Sequence, residues 1–279
     1  MDTSALNGKP YLPIFIKETA SKVYYRKDPR TKKEYREGIK MTGLDDWIDA
    51  SSLTALNDIL YQEVDIYRNN IYIFKQSFLS PINDLVGNRF YRYYIIDTVD
   101  YKGMDVIEMA FMPANKQDLG FKGSLFILND SSYAIVKAEI SFTEQININW
   151  VNDIKMVQEF EKKNGHWIIS KDQMVTDFAL SGKRVGIFGT RTVMYDNQVF
   201  NEKKEASIYR GSEKLIEGKG EDKRDSTFWN AARQEELTES EEKIYVMVDT
   251  LTNFRPFRRI MNTVSSVAYT HLRAHETLR

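Results

Sequence analysis

Carboxylates are the most abundant side chains in this sequence that could act as general acids, general bases or nucleophiles. The chain contains 40 Asp and Glu residues, and hydrolysis of the glycosidase type needs two carboxylates that face each other across a cleft. The positions considered for such a pair are Asp45, Asp46, Asp97, Asp118, Asp153 and Asp177. Because acidic residues are so numerous, chance explains any chosen pair. The sequence favours surface charge at each position and makes a carboxylate-based hydrolase the weakest functional hypothesis.

The motifs of other common active sites are missing. There is no HExxH, no GxSxG and no Walker P-loop, since Gly218-Lys219-Gly220 lacks the required glycine spacing and the following Ser or Thr. The glycines between Gly182 and Gly189 lead into a predicted strand, whereas a dinucleotide-binding fingerprint opens a helix. His166 stands beside a predicted turn and is expected to be a solvated residue. We assign no catalytic, cofactor-binding or metal-ligating residue, and predict a protein without enzymatic activity or cofactor.

Composition excludes several further classes of protein. The chain has 279 residues and no Cys, which removes thiol catalysis, disulfides and thiolate metal sites. Its 39 basic and 40 acidic residues give a net charge of −1, so the overall charge offers no case for a nucleic-acid binder or a membrane-surface protein. The longest apolar run is Ile244–Val248, far short of the about 20 residues of a membrane-spanning helix.

Period-two alternation of apolar residues predicts β-strands from about residue 61 to residue 200. Along Tyr133–Phe142, for example, Val136, Ala138 and Ile140 share one face, and charged residues stand between them. Asn164-Gly165 predicts a type I′ hairpin turn, since both residues tolerate positive φ. Other strands are predicted around 125–128, 154–160 and 167–169, and over 61–67, 70–75, 89–98, 104–112, 173–180 and 185–194.

The predicted fold class is mainly β: one large, curved, half-barrel-like antiparallel sheet with a few flanking helices. About ten strands joined by short turns, with no helices alternating between them, argue against a parallel sheet. The expected organisation begins with a connecting segment at 1–43, followed by a β domain at 44–200 with a leading helix at 44–60. A charged linker at 201–237, a helix at 238–267 and a non-native tail at 268–279 follow.

Two of these segments stand out by their charge or capping pattern. Residues 17–40 contain nine basic and four acidic residues, which fits either an anion-binding patch or, as we prefer, a solvated connection. Thr238-Glu239-Ser240-Glu241 matches a capping box and predicts a helix whose apolar face includes Ile244, Val248 and Leu251.

The last residues, Tyr269–Arg279, resemble a translated sequencing-adapter peptide. They contain two of the three His residues, so a His-based site would depend on His166 alone. If this tail is foreign, the natural protein continues beyond about residue 268, and the chain is a fragment of a longer one.

Several ordered segments resemble an outer-membrane family of unknown function. The segments are Tyr11–Thr19 with Val23-Tyr24-Tyr25, Val64–Tyr67 with Phe78–Ile82, Phe111-Met112-Pro113, Phe121–Ile127, and Phe228-Trp229 with Leu237–Glu241. In that family a carboxypeptidase-regulatory-like β-sandwich domain precedes this region and a membrane β-barrel follows it. The resemblance spans about residues 10–262. It implies a location on the periplasmic face of the outer membrane, and it transfers no catalytic residue.

Two non-enzymatic hypotheses follow. The first is a periplasmic domain of an outer-membrane barrel protein that acts in envelope transport, assembly or partner docking, with β-augmentation suited to an exposed sheet edge. Its partners would be its own β-barrel and β-sandwich domains or another envelope protein, and not nucleic acid.

The second hypothesis is a binding module that holds a lipid or other apolar ligand on the concave sheet face. A similarity in strand pattern to half-barrel lipoprotein carriers also suggests this use. The aromatic residues that could line such a groove include Phe90, Tyr91, Tyr93, Tyr94, Phe111, Phe121, Phe126, Phe142 and Trp150.

Overall fold

The computed structural model describes most of the chain before residue 245. The described residues are 15–43, 64–73, 76–143, 151–181, 185–239 and 241–244, with the isolated positions 2, 3, 6, 8, 10, 11, 60 and 62. The N-terminal part contains three antiparallel strand pairs. These are β1 (Asp2–Thr3) with β2 (Pro10–Tyr11), β3 (Phe15–Arg26) with β4 (Thr31–Gly43), and β5 (Asn70–Ile73) with β6 (Gln76–Leu79). The helical turn α1 (Gly87–Phe90) follows them.

A seven-stranded antiparallel sheet forms the centre of the fold, and its strands lie in chain order. They are β7 (Tyr91–Tyr101), β8 (Met104–Pro113), β9 (Phe121–Leu128), β10 (Ile135–Phe142), β11 (Val151–Lys163), β12 (His166–Ser181) and β13 (Val185–Met194). Short turns make this order possible: Asn164 and Gly165 have φ of 51° and 82° between β11 and β12, as a type I′ turn requires. The prediction of one large antiparallel sheet is confirmed.

The chain's own residues 64–82 cover one face of this sheet. Phe78 on β6 packs against Phe121 and Phe142, with ring centroids 5.4 and 5.0 Å apart. Burying each Ile or Phe side chain in such a layer contributes about 1.5–3 kcal/mol. The covering segment contributes Val64, Ile66, Ile71, Ile73 and Phe78 to the core.

Within the predicted connecting segment at 1–43, residues 15–43 form the β3–β4 hairpin, and the predicted linker at 201–237 contributes a third strand to the same sheet. The strand β14 (Leu215–Glu217) pairs in parallel with β4. The helix α2 (Ser226–Ala232) follows it and places Phe228 and Trp229 against Gly38 of β4. The many charged residues concealed this sheet in the sequence, because they pair across strands instead of remaining in solvent. Arg36, for example, contacts Glu217 at 2.8 Å.

Other expectations have mixed outcomes. Residues 64–67 form a turn and not a strand, because Val64 and Ile66 pack onto the face of the sheet instead of pairing within it. The capping box is confirmed: the Thr238 backbone N–H donates to Glu241 at 2.8 Å, and the Glu241 N–H donates to the Thr238 hydroxyl at 3.3 Å. The predicted helix at 44–60, apart from Leu60, and all residues after 244 lie outside the described residues. In the described part of the chain, no helix is long and apolar enough to span a membrane.

Replacing Gly123 with Ala is expected to destabilise the large sheet. A Cβ atom at this position would lie 1.9 Å from the carbonyl oxygen of Glu139 on the neighbouring strand. The backbones would have to separate, at a cost of about 1–3 kcal/mol or more. Urea unfolding followed by circular dichroism measures this loss. Gly189→Ala is the control, because its Cβ would meet the flexible Leu60 side chain at 3.3 Å and the Phe178 ring at an ordinary 3.5 Å. Equal losses in both variants would contradict the prediction.

Candidate functional site

The strand β7 forms one edge of the seven-stranded sheet, since it pairs only with β8 among the described strands. Such an edge leaves a row of backbone N–H and C=O groups without a strand partner. Three consecutive side chains in the middle of β7 are exposed: Tyr94 by 46%, Ile95 by 70% and Ile96 by 58%. The pairing with β8 shifts register between Ile95 and Asp97, so Ile96 lies in a bulge. An edge with exposed apolar side chains is unusual, because proteins normally protect such edges with charge.

The second half of β7 is acidic. Asp97 pairs with Glu108, and Asp100 with Asp105, directly across the β7–β8 ladder. Like charges in opposite positions destabilise a sheet. Within the described part of the chain, these four carboxylates accept hydrogen bonds but form no ion pair. The nearest lysine in the sequence, Lys102, instead contacts Glu159 at 2.7 Å.

The geometry of β7 suits one kind of chemistry, the binding of an extended peptide. An added strand would complete the backbone hydrogen bonds of the edge, while side-chain contacts would select its sequence. Ile95 and Ile96 offer apolar contacts, and the acidic pairs favour basic residues. This edge was not assigned from the sequence, because strand order is a property of the tertiary structure. The consecutive apolar residues Tyr94-Ile95-Ile96, which break the period-two alternation, are the signal that could have indicated it.

Most of the aromatic residues proposed for a ligand groove lie in the core. Phe121 stacks on Phe142 with centroids 5.2 Å apart. The Tyr91 hydroxyl donates to the Leu79 carbonyl at 2.7 Å and accepts from the Phe121 N–H at 3.2 Å. Burial raises the pKa of Tyr91 far above its ordinary value, consistent with a neutral structural hydroxyl. Phe111 lies within the same core, and Phe90 and Tyr93 pack against it. Phe126 contacts Tyr101 on the other face, and Tyr94 is exposed. Trp150 lies outside the described residues.

The structure brings two of the six considered carboxylates together. Asp153 on β11 and Asp177 on β12 are direct cross-strand partners. Partial burial and the charge of Asp177 raise the pKa of Asp153, although the Ile154 N–H and Lys122 act in the opposite direction. Asp97 lies on β7 and Asp118 lies in a turn beside Asn115, whereas Asp45 and Asp46 lie outside the described residues.

A buried polar network joins strands β11, β12 and β13 to the segment that covers the sheet. The side chains of Asp172 on β12 and Arg191 on β13 form an ion pair, and both are buried. The Gln158 amide donates to Asp172 at 3.2 Å and to the Val64 carbonyl at 2.7 Å. Arg191 also donates to the Gln62 carbonyl at 3.0 Å. The network therefore fixes the segment that covers the sheet. Gln158, at a core-facing position between Met156 and Phe160, is the sequence signal that could have predicted it.

A polar cleft of about 460 Å³ opens where β11 and β13 end and β12 begins, beside residues 234–235. Each of its three lysines contacts a carboxylate: Lys102 with Glu159 at 2.7 Å, Lys171 with Glu235 at 2.8 Å, and Lys163 with Asp196 at 3.6 Å. Burial disfavours ionisation of Glu159, yet the hydrogen bond from Lys102 keeps its pKa below the ordinary value. Because its lysines are already neutralised, the cleft has little positive charge to offer a ligand.

His166 is exposed at the start of β12, and its ring centroid lies 5.9 Å from that of Phe200. In the described residues no group of three or more His, Asp or Glu side chains could hold a metal ion. The glycine-rich segment leads into β13 and not into a helix, as its sequence suggested.

Comparison with known families identifies the chain. The model of the family described as "Family of unknown function (DUF5686)" matches residues 7–198, which include the whole seven-stranded sheet. The chain belongs to the DUF5686 family. No curated protein and no solved structure matches it. The resemblance to a family of unknown function is therefore confirmed, whereas the outer-membrane placement and the flanking domains of this DUF5686 chain remain predictions.

In this DUF5686 chain, Arg191→Met is expected to lower the free energy of unfolding by about 3–5 kcal/mol, because it leaves the Asp172 charge buried without its partner. The double variant Arg191→Met/Asp172→Leu should recover most of that loss, since no buried charge remains. Urea unfolding of the two variants and the parent checks this. A double variant as unstable as the single one would contradict the prediction.

Asp153→Asn is expected to raise the melting temperature slightly at neutral pH. An acid whose pKa is raised above its ordinary value of 3.8 in the folded state costs stability as pH rises through that folded-state pKa. Asn removes this cost, by about 1–2 °C for a partly exposed group in a chain of this size. Calorimetry at pH 3 and pH 7 should show the gain only at pH 7. Asp84→Asn, at an exposed turn, is the control.

Proposed function

We propose that this chain is a non-enzymatic docking domain of a cell-envelope protein, and that it binds an extended partner segment along the edge of β7. The observation that carries the proposal is the composition of that edge. Exposed Tyr94, Ile95 and Ile96 precede acidic residues that form no ion pair in the described part of the chain. The partner is a strand that presents apolar residues followed by Lys or Arg. Backbone hydrogen bonds would provide affinity, and the side chains would provide selectivity.

The cell-envelope location rests on the family resemblance. A docking edge on the periplasmic face of the outer membrane could receive a strand from a flanking β-sandwich or barrel domain, or from a separate envelope protein. The packing of residues 64–82 on the aromatic face favours docking over a lipid groove there, because Phe78 already occupies the position against Phe121 and Phe142.

A displayed library of random peptides, selected against the full chain, tests the docking edge. We expect the selected peptides to share alternating apolar residues followed by Lys or Arg. In hydrogen exchange, a bound synthetic peptide should protect the amides of β7. Ile95→Lys/Ile96→Lys should weaken its binding at least about tenfold in fluorescence anisotropy, because it places positive charge against a basic, apolar ligand.

Val199→Lys/Tyr133→Lys is the matched control, since both residues are exposed apolar positions elsewhere. Peptides without a common pattern, or with equal affinity for the Ile95→Lys/Ile96→Lys variant, would refute the docking edge. Fractionation of cells that express the natural gene tests the location separately, and a product found in the cytosol would refute it.

A further inference from the structure

The end of the β3–β4 hairpin is a concentrated basic surface, distinct from the β7 edge. Residues 26–33 contain five basic residues and one acidic residue. Arg26 pairs with Thr31 across the ladder, so residues 27–30 form the turn, and all four are exposed. The sequence pattern alone left open whether this charge was a binding patch or a solvated connection. The structure places it at the exposed end of an ordered hairpin.

Residues 209–214 pack beside this turn and hold it in place. The Arg26 guanidinium lies over the Tyr209 ring, 4.6 Å from its centroid. The Lys33 ammonium donates to the backbone carbonyls of Gly211, at 2.7 Å, and Glu213. The Glu34 N–H donates to the Lys214 carbonyl at 2.8 Å. These contacts bring Lys214 close to Lys32, whose pKa its charge lowers, and place Arg210 beside the opposite face of the hairpin.

Much of this positive charge is not neutralised within the fold. Lys27, Arg30, Arg210 and Lys214 form no ion pair in the part of the chain that the structure describes. Partial burial lowers the pKa of Lys32; the nearby cations Arg68 and Lys214 lower it further, against the opposing effect of Glu34. Cations crowded together in this way, despite the cost of their repulsion, are suited to a negatively charged surface.

Exposed apolar side chains stand next to these cations. Val23 is 47% exposed and Tyr25 is 58% exposed, and their spacing of two residues puts them on the same face of β3. Tyr24 and Tyr35 lie on the other face, where the Tyr35 hydroxyl donates to the Ile208 carbonyl at 2.9 Å. Protein surfaces at the membrane–water interface combine aromatic and aliphatic side chains with Lys and Arg. The aromatic rings lie at the level of the lipid headgroups, and the cations contact phosphates.

We infer that the hairpin tip, defined as Val23, Tyr25, Lys27, Arg30, Lys32 and Lys214, binds the surface of an anionic lipid bilayer. The ligands are the phosphate groups of the lipid headgroups. A bilayer accounts for both the cations and the exposed apolar residues Val23 and Tyr25, whereas a nucleic acid would account for the cations alone. The inference does not depend on docking at β7.

Vesicle co-sedimentation with the full chain tests the inference. The chain should bind phosphatidylcholine vesicles that contain about 30 mol% phosphatidylglycerol, and bind pure phosphatidylcholine vesicles far less. Lys27→Gln/Arg30→Gln should weaken this binding at least about tenfold, since each basic residue near an anionic surface contributes to the attraction. High salt should weaken binding of the parent chain by screening. Lys116→Gln/Lys162→Gln, at exposed positions elsewhere, is the matched control and should bind like the parent.

A second variant tests the apolar contact. Tyr25→Ser should weaken binding severalfold and leave the salt dependence unchanged, while Tyr133→Ser, also at an exposed tyrosine, should have no effect. Ile95→Lys/Ile96→Lys should still bind vesicles, which separates this inference from the β7 docking edge. Circular dichroism confirms that each variant is folded.

Three results would overturn the inference. Equal binding to both vesicle types would show that anionic headgroups are not recognised. Unchanged binding of the folded Lys27→Gln/Arg30→Gln variant would show that the tip is not the contact. Binding to heparin or duplex DNA, without binding to the anionic vesicles, would identify the tip as a polyanion site instead.

Discussion

Fixing residues 62, 64–73 and 76–82 on the seven-stranded sheet is the constraint on which the remaining structure depends. An irregular segment that crosses a buried face exposes backbone carbonyls to an apolar environment, and each needs a hydrogen-bond donor. The sheet supplies them: Arg191 donates to Gln62, Gln158 to Val64, Tyr91 to Leu79, and Tyr93 to Pro81. These four bonds hold the β5–β6 hairpin where its apolar residues cover the core. The ion pair of Arg191 with Asp172 is the electrostatic part of the same arrangement.

The covering of this face determines which surfaces of the molecule remain available to a partner. The chain itself occupies the aromatic face, and the two interaction surfaces that we propose lie elsewhere, at the β7 edge and at the tip of the β3–β4 hairpin. The two surfaces have opposite character: β7 ends in paired carboxylates such as Asp97 and Glu108, and the hairpin tip is basic. A domain that contacts a bilayer with one surface and a basic strand with the other would be well suited to assembly at a membrane.

Local patterns predicted much of the secondary structure. Alternation over 133–142 identified a strand with one buried face, Asn164-Gly165 specified its own turn, and Thr238 with Glu241 specified a helix cap. The predictions failed where tertiary contacts decided the outcome. Residues 64–67 alternate like a strand, because Val64 and Ile66 contact the sheet beneath them while Asp65 and Tyr67 are exposed. The basic segment before residue 43 resembled a linker, because the carboxylates that pair with it, such as Glu221 with Arg36, lie nearly two hundred residues away.

The sequence by itself determined the mainly antiparallel fold, since period-two alternation and short turns are properties of neighbouring residues. It also determined that the chain lacks cysteine chemistry and the motifs of common active sites. Only the tertiary structure decided which strand forms the edge, which aromatic residues are covered, and where unpaired charge collects. These features depend on contacts between residues distant in the chain. Ile95 and Ile96 are therefore exposed, whereas Phe121 and Phe142, in strands of similar composition, are buried.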